Sequence, residues 1–77
     1  MSIYKNERVE VRLTKGSGVF AFIRNKTSKT IRLYFERDCI DLELEIPGNE
    51  KLDLLCNEED REIAKMIQNH QFILMAA

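Results

Sequence analysis

Residues 40–46 read Ile-Asp-Leu-Glu-Leu-Glu-Ile, which puts Ile40, Leu42, Leu44 and Ile46 on one side of an extended chain and Asp41, Glu43 and Glu45 on the other. A helix would scatter the four apolar side chains, whereas a strand gathers them on one face. The segment is therefore a strand with one solvated face. Residues 8–14 (RVEVRLT) repeat the pattern through Val9, Val11 and Leu13, and 29–36 (KTIRLYFE) through Ile31, Leu33 and Phe35. Residues 18–24 (GVFAFIR) are apolar on both sides, as a central strand would be.

Short turns join these four segments into an antiparallel meander. Lys15-Gly16-Ser17-Gly18 suits a two-residue hairpin loop at Gly16-Ser17, because primed turns need the positive φ that glycine adopts freely. Leu13 then faces Phe20, and Val11 faces Phe22. Loops at Asn25–Ser28 and Glu36–Cys39 set Phe22 against Ile31, Leu33 against Leu42 and Phe35 against Ile40, closing every apolar row on one face. The opposite face then pairs Arg32 with Glu43 and Tyr34 with Asp41, and carries an uncovered apolar stripe, Val19, Ala21 and Ile23.

Pro47-Gly48-Asn49 is a turn, and 51–56 (KLDLLC) adds a short fifth strand with Leu52 and Leu54 inward. Asn57 is an N-cap for a helix over 58–69, with Glu58, Glu59 and Asp60 in the first turn, where carboxylates oppose the macrodipole. Ile63, Met66 and Ile67 form the stripe that faces the sheet. The tail, Gln71–Ala77, has no charged side chain and reads as a final strand in which Phe72, Ile73, Leu74 and Met75 pair with a sheet edge of this chain or of a second one. The expected fold class is α+β, mostly β: a four-stranded antiparallel meander, or part of a small barrel, with a short fifth strand, one C-terminal helix and a final edge strand.

At 77 residues the chain is a single small domain, 1–77. A chain this short buries roughly 60–65% of the surface it exposes when unfolded, which makes self-association plausible. A hydrophobic fraction of 44% with 32% charged residues excludes disorder and collagen-like repeats. Charged residues recur through the first fifteen positions, leaving no apolar run for a signal peptide or a membrane span, so the expected location is the cytoplasm.

Catalytic chemistry finds little to work with. Cys39 and Cys56 lack the short spacing that pre-organises zinc thiolates, and three carboxylates follow Cys56, so it reads as a buried structural thiol. His70, the only histidine, suits a helix C-terminus and needs no further role. Asp41, Glu43 and Glu45 lie about 6–7 Å apart along a strand, the ordinary result of alternation with one wet face. Gly16-Ser17-Gly18 lacks the Walker spacing of a phosphate loop. No catalytic residue, metal site or cofactor is expected, and the chain is read as not an enzyme.

Charge is more informative. Residues 1–37 carry nine basic and three acidic residues, a net of +6, and residues 38–77 carry three basic and ten acidic, a net of −7. Part of this asymmetry is complementary pairing between strands; part is a basic cluster around the Asn25–Ser28 loop. Arg24, Lys26, Lys29 and Arg32, with Tyr34 for stacking, are the candidate nucleic-acid-binding residues. In addition, Arg8-x-x-x-Arg12 followed by Asn25-x-Thr27-x-x-Thr30 ahead of an Ile-x-Leu strand resembles a degenerate form of the PilZ motifs, with Thr27 and Thr30 where that family usually has Ser and Gly. The resemblance covers about 25 residues and implies cyclic dinucleotide binding.

The leading expectation is a small non-enzymatic binding or regulatory protein, a homo-oligomer that contacts a protein partner through Val19, Ala21, Ile23 and the apolar tail. The alternative is a nucleic-acid-binding regulator acting through the basic loop.

Overall fold

The computed structural model describes residues 2–37 and 40–76. In chain order the elements are β1 (Ser2–Lys5), β2 (Val9–Gly16), β3 (Val19–Asn25), β4 (Ile31–Arg37), β5 (Ile40–Ile46), β6 (Lys51–Leu55), α1 (Glu58–Gln68) and β7 (Ile73–Ala76). All strand pairs are antiparallel, and they form two sheets, β1-β2-β3-β6 and β5-β4-β7. The mostly β class, the fifth strand, the C-terminal helix and the final edge strand match the expectation. Neither a continuous meander nor a closed barrel forms: β3 pairs with β6 rather than with β4, so the chain leaves the first sheet at Asn25 and starts a second one at Ile31. Val9, Val11, Ala21, Ile23 and Leu54 of the first sheet and Ile31, Leu33, Phe35 and Ile46 of the second share one buried cluster with Ile63, Met66 and Ile67 of α1.

Residues 2–5, where the sequence pattern marks no element, become β1 through the turn that follows. The Asn6 side-chain oxygen accepts from the backbone N–H groups of Arg8 and Val9, both at 2.7 Å, and folds the chain back onto β2.

The first hairpin differs from the expected register by one residue. The loop is Ser17-Gly18, with Gly18 at φ +76°, and Val11 faces Ile23 while Leu13 faces Ala21. A one-residue slip exchanges the faces of a strand. Ala21 and Ile23 are therefore fully buried, and the apolar stripe expected on an open face is part of the core, with Val19 half-buried at its end. Phe22 and Arg24 take the outer face instead. In the second hairpin the shift is two residues: Ile31 faces Ile46, Leu33 faces Leu44 and Phe35 faces Leu42. An even shift keeps the faces, so the apolar rows survive. Residues 38 and 39 of the expected Glu36–Cys39 loop, and hence Cys39, lie outside the described residues. Cys56 is exposed, which corrects its reading as a buried thiol.

The crossing between sheets is held by Asn25, the one polar side chain fully buried among the described residues. Its Nδ2 donates toward the carbonyls of Lys29 (2.8 Å), Ile46 (2.9 Å) and Pro47 (3.0 Å), while Oδ1 accepts from the N–H and hydroxyl of Thr27. The segment that resembled an exposed hairpin loop is thus a pinned corner. The turn between β5 and β6 packs on it: Asn49 N–H donates to Thr27 O at 2.8 Å, and Gly48 lies so close to Ser28 that no side chain fits between them.

The helix forms as its caps dictate. Asn57 Oδ1 accepts from Asp60 N–H at 2.7 Å. At the other end His70 takes φ +58°, its N–H reaches Ile67 O, and Gln71 N–H reaches Met66 O, the double hydrogen bond of a Schellman cap. The cap turns the chain toward β7, and the His70 and Phe72 rings both make T-shaped contacts with Tyr4, with ring centres 5.2 and 5.3 Å apart.

Candidate nucleic-acid interface

The outer face of the first sheet is set by β2, β3 and β6. Phe22 lies at its centre, opposite Arg12 on one side and Asp53 on the other. In this register the ring points outward, outside the buried cluster and the apolar side chains packed against it. Two cations lie over the ring instead: the Arg24 guanidinium carbon is 5.6 Å from the ring centre and Lys51 Nζ is 4.9 Å from it.

Arg24 and Lys51 also face one another directly across β3 and β6. Like charges in that position repel, and the Phe22 ring, the nearby Asp53 (3.8 Å from Lys51) and Glu10, which faces Arg24 from β2, offset this. An anion placed over the pair would relieve it further.

The rim of the face is basic on the β2 side. Glu10 lies there, its carboxylate accepting from Ser2 Oγ at 2.5 Å and 3.7 Å from Arg12 Nε. Its carboxyl is held below the usual range, first by the Ser2 hydrogen bond, which works against an upward push from desolvation, and then by the charges of Arg12, Lys5 and Lys26. A lowered folded-state pKa contributes stability above the unfolded-state value, and that contribution is lost as pH falls through the folded-state pKa. At neutral pH Glu10 is therefore an ionised carboxylate in a positive field.

The five residues expected to bind nucleic acid do not share a surface. Arg24 is on the Phe22 face. Lys26 lies at the corner beside it, where its ammonium donates to Asn6 O at 2.9 Å. Lys29 is exposed beyond the corner, and its carbonyl is one of the Asn25 acceptors. Arg32 and Tyr34 belong to β4 in the second sheet, where Arg32 Nε lies 3.4 Å from Glu43 and 3.7 Å from Glu45. That outer face is acidic; Arg32 faces Glu45 and Tyr34 faces Glu43, so the expected Arg32–Glu43 ion pair forms diagonally and the expected pairing of Tyr34 with Asp41 does not occur. Phe22, Lys51 and Glu10 were missed because their grouping depends on the β2–β3 register and on the β3–β6 pairing.

In the apolar tail, β7 pairs with β4 of its own chain. Phe72 and Leu74 pack inward, while Ile73 and Met75 are 46% and 39% exposed on the outer side. Among the residues that resemble PilZ motifs, Arg8 and Arg12 are exposed, but the side chains of Asn25 and Thr27 hold the corner together. No helix among the described residues is long and apolar enough to cross a membrane, and among them no group of three or more His, Cys, Asp or Glu is placed to hold a metal ion. No protein-family model, curated protein or solved structure matches the chain.

Proposed function

We propose that the protein is a small non-enzymatic binding protein that takes single-stranded nucleic acid on the outer face of its first sheet. The observation that carries this reading is the Phe22 ring with Arg24 and Lys51 over it. An aromatic ring offers a stacking surface to any base, and a base that takes the place of the cations over the ring leaves these long side chains to meet the adjoining phosphates. With Arg12 and Lys26 at the rim, the site favours a strand that runs across β2, β3 and β6. The acidic outer face of the second sheet directs a polyanion away from Arg32, and the unpaired bases of a single strand suit a flat sheet better than a duplex does.

The test is fluorescence anisotropy with a labelled mixed-sequence RNA and DNA of about 15 nucleotides, a length within the span of small β domains. If roughly three phosphates are neutralised, log K should fall with log salt at a slope of about −2. Phe22→Ala is expected to weaken binding by about 5- to 100-fold through the loss of one stacked base. Glu10→Gln should strengthen binding several-fold, since it removes the negative charge from the basic rim, and Arg32→Gln should leave it unchanged. Absence of binding at low salt, or affinity indifferent to Phe22→Ala, rejects the proposal.

Self-association through β7 is a second reading, supported by the exposed Ile73 and Met75 on an edge strand that carries no charged side chain. It predicts a mass that rises with concentration in light scattering and returns to that of one chain in Ile73→Lys. A constant single-chain mass across a wide concentration range rejects it.

A further inference from the structure

Three irregularities in the first sheet converge on one place. In the β1–β2 pair, Ser2 faces Arg12 and Tyr4 faces Val11, leaving Ile3 unopposed; between β3 and β6, Val19 faces Leu55 and Ala21 faces Leu54, leaving Phe20 unopposed. The β2–β3 register shifts just beyond Leu13. Such bulges re-aim side chains. Here Ile3, Leu13 and Phe20 together form the floor of an open groove of about 400 Å³ beside α1. Leu13 remains 44% exposed, although it belongs to the row that Val9 and Val11 bury completely.

The helix supplies the other wall through Arg61, Ala64, Lys65 and Gln68, spaced to lie along one side of α1. Its two charged members are both cations, and among the described residues no carboxylate lines the groove. The next strip of the helix surface carries Glu58, Glu59 and Glu62, with Arg61 and Lys65 shared between the two strips. The apolar floor asks for apolar side chains, the cationic wall for one carboxylate, and the neighbouring acidic strip opposes a polyanion.

We propose that this groove docks a short apolar peptide segment of a partner protein, with a carboxylate of that segment placed between Arg61 and Lys65. A peptide fits the shape better than a lipid does: an open groove would leave much of an acyl chain in water, whereas a peptide backbone keeps its outward side hydrated. The site is separate from the Phe22 face, and the proposal stands whether or not that face binds nucleic acid.

The experiment is selection of random peptides displayed on phage against the full chain, followed by titration of a selected synthetic peptide monitored through backbone amide resonances. The expected winners combine two or more large apolar residues with at least one acidic one. They should shift the amides of Ile3, Leu13, Phe20 and Ala64, and lose at least tenfold in affinity on Leu13→Lys, a change at a side chain already half in water. The double variant Arg61→Glu, Lys65→Glu should remove the preference for acidic peptides and favour basic ones, with an unchanged resonance pattern for the core. No enrichment, winners without an acidic residue, or peptides insensitive to Leu13→Lys would overturn the proposal. So would dodecanoate shifting these amides while selected peptides do not, which would assign the groove to a lipid, or a doubled particle mass that Leu13→Lys abolishes, which would assign it to a second copy.

Discussion

Replacing Asn25 by aspartate is expected to destabilise the domain by about 3–5 kcal/mol at neutral pH, although the side chain keeps its shape. Oδ1 would still accept from Thr27, but the Nδ2 position, which now faces the carbonyls of Lys29, Ile46 and Pro47, would hold an oxygen. Donation becomes repulsion, and Ile46 O, the buried one of the three acceptors, loses its Asn25 donor, while Lys29 O keeps the Thr27 hydroxyl and Pro47 O keeps the Glu50 N–H. A domain of 77 residues has a total stability of about 4–12 kcal/mol, so the variant would stand close to unfolding.

The carbonyl cage disfavours the charged carboxylate, which raises its folded-state pKa above the unfolded value. The folded state then binds more protons between those two values, so stability rises as pH falls through that window. Urea unfolding of the wild type, Asn25→Asp and Asn25→Ala at pH 4 and pH 7 checks this. The aspartate penalty should shrink at the lower pH, while the alanine penalty should stay nearly constant. Equal penalties at both pH values would mean that the cage does not act on charge.

Gly48→Ala is expected to cost about 2–3 kcal/mol, in the range of overpacking a tight contact, and to lower Tm by about 10–20 °C. The new Cβ would fall on the Ser28 carbonyl group and 3.0 Å from Lys29 N, backbone atoms that cannot rotate away. Gly18→Ala is the matched control. There the backbone is left-handed at φ +76°, but nothing lies within 4 Å of an added Cβ, so only the local conformational cost of about 1–2 kcal/mol applies. Thermal unfolding should rank Gly48→Ala as the more damaging change. The reverse order would show that the corner yields more easily than its contacts imply.

Both predictions concern the same feature, the junction of residues 25–29 with 46–49, and this junction also orients the candidate interface. Arg24 immediately precedes Asn25, and Lys51 follows the turn that rests on Ser28, so the corner sets the two cations opposite one another beside Phe22. Loss of the corner should therefore weaken the binding face together with the fold. Glu10→Gln should strengthen binding while leaving the corner in place, which separates the two effects.

Strand and helix identity depend on neighbours within a few residues. The alternation in 40–46 and 31–35, the N-cap at Asn57 and the apolar helix stripe were legible in the sequence for that reason, and so was the basic character of the first half of the chain. The parity of the first hairpin was not. Gly16 and Gly18 offer two turns one residue apart, and β3 is apolar on both faces, so neither choice exposes a conspicuous error. In the structure the turn places the small Ala21 and Ile23 inside and leaves Phe22 for the surface.

What the sequence by itself determined is every element but β1 and, wherever one side of a strand is charged, which side faces the core. Tertiary structure alone decided which strands meet. The pairing of β3 with β6 instead of β4 depends on a buried asparagine joining carbonyls up to 22 positions away, and on a glycine that lets two turns touch. Those contacts have no local periodicity, and they bring Phe22, Arg24 and Lys51 together.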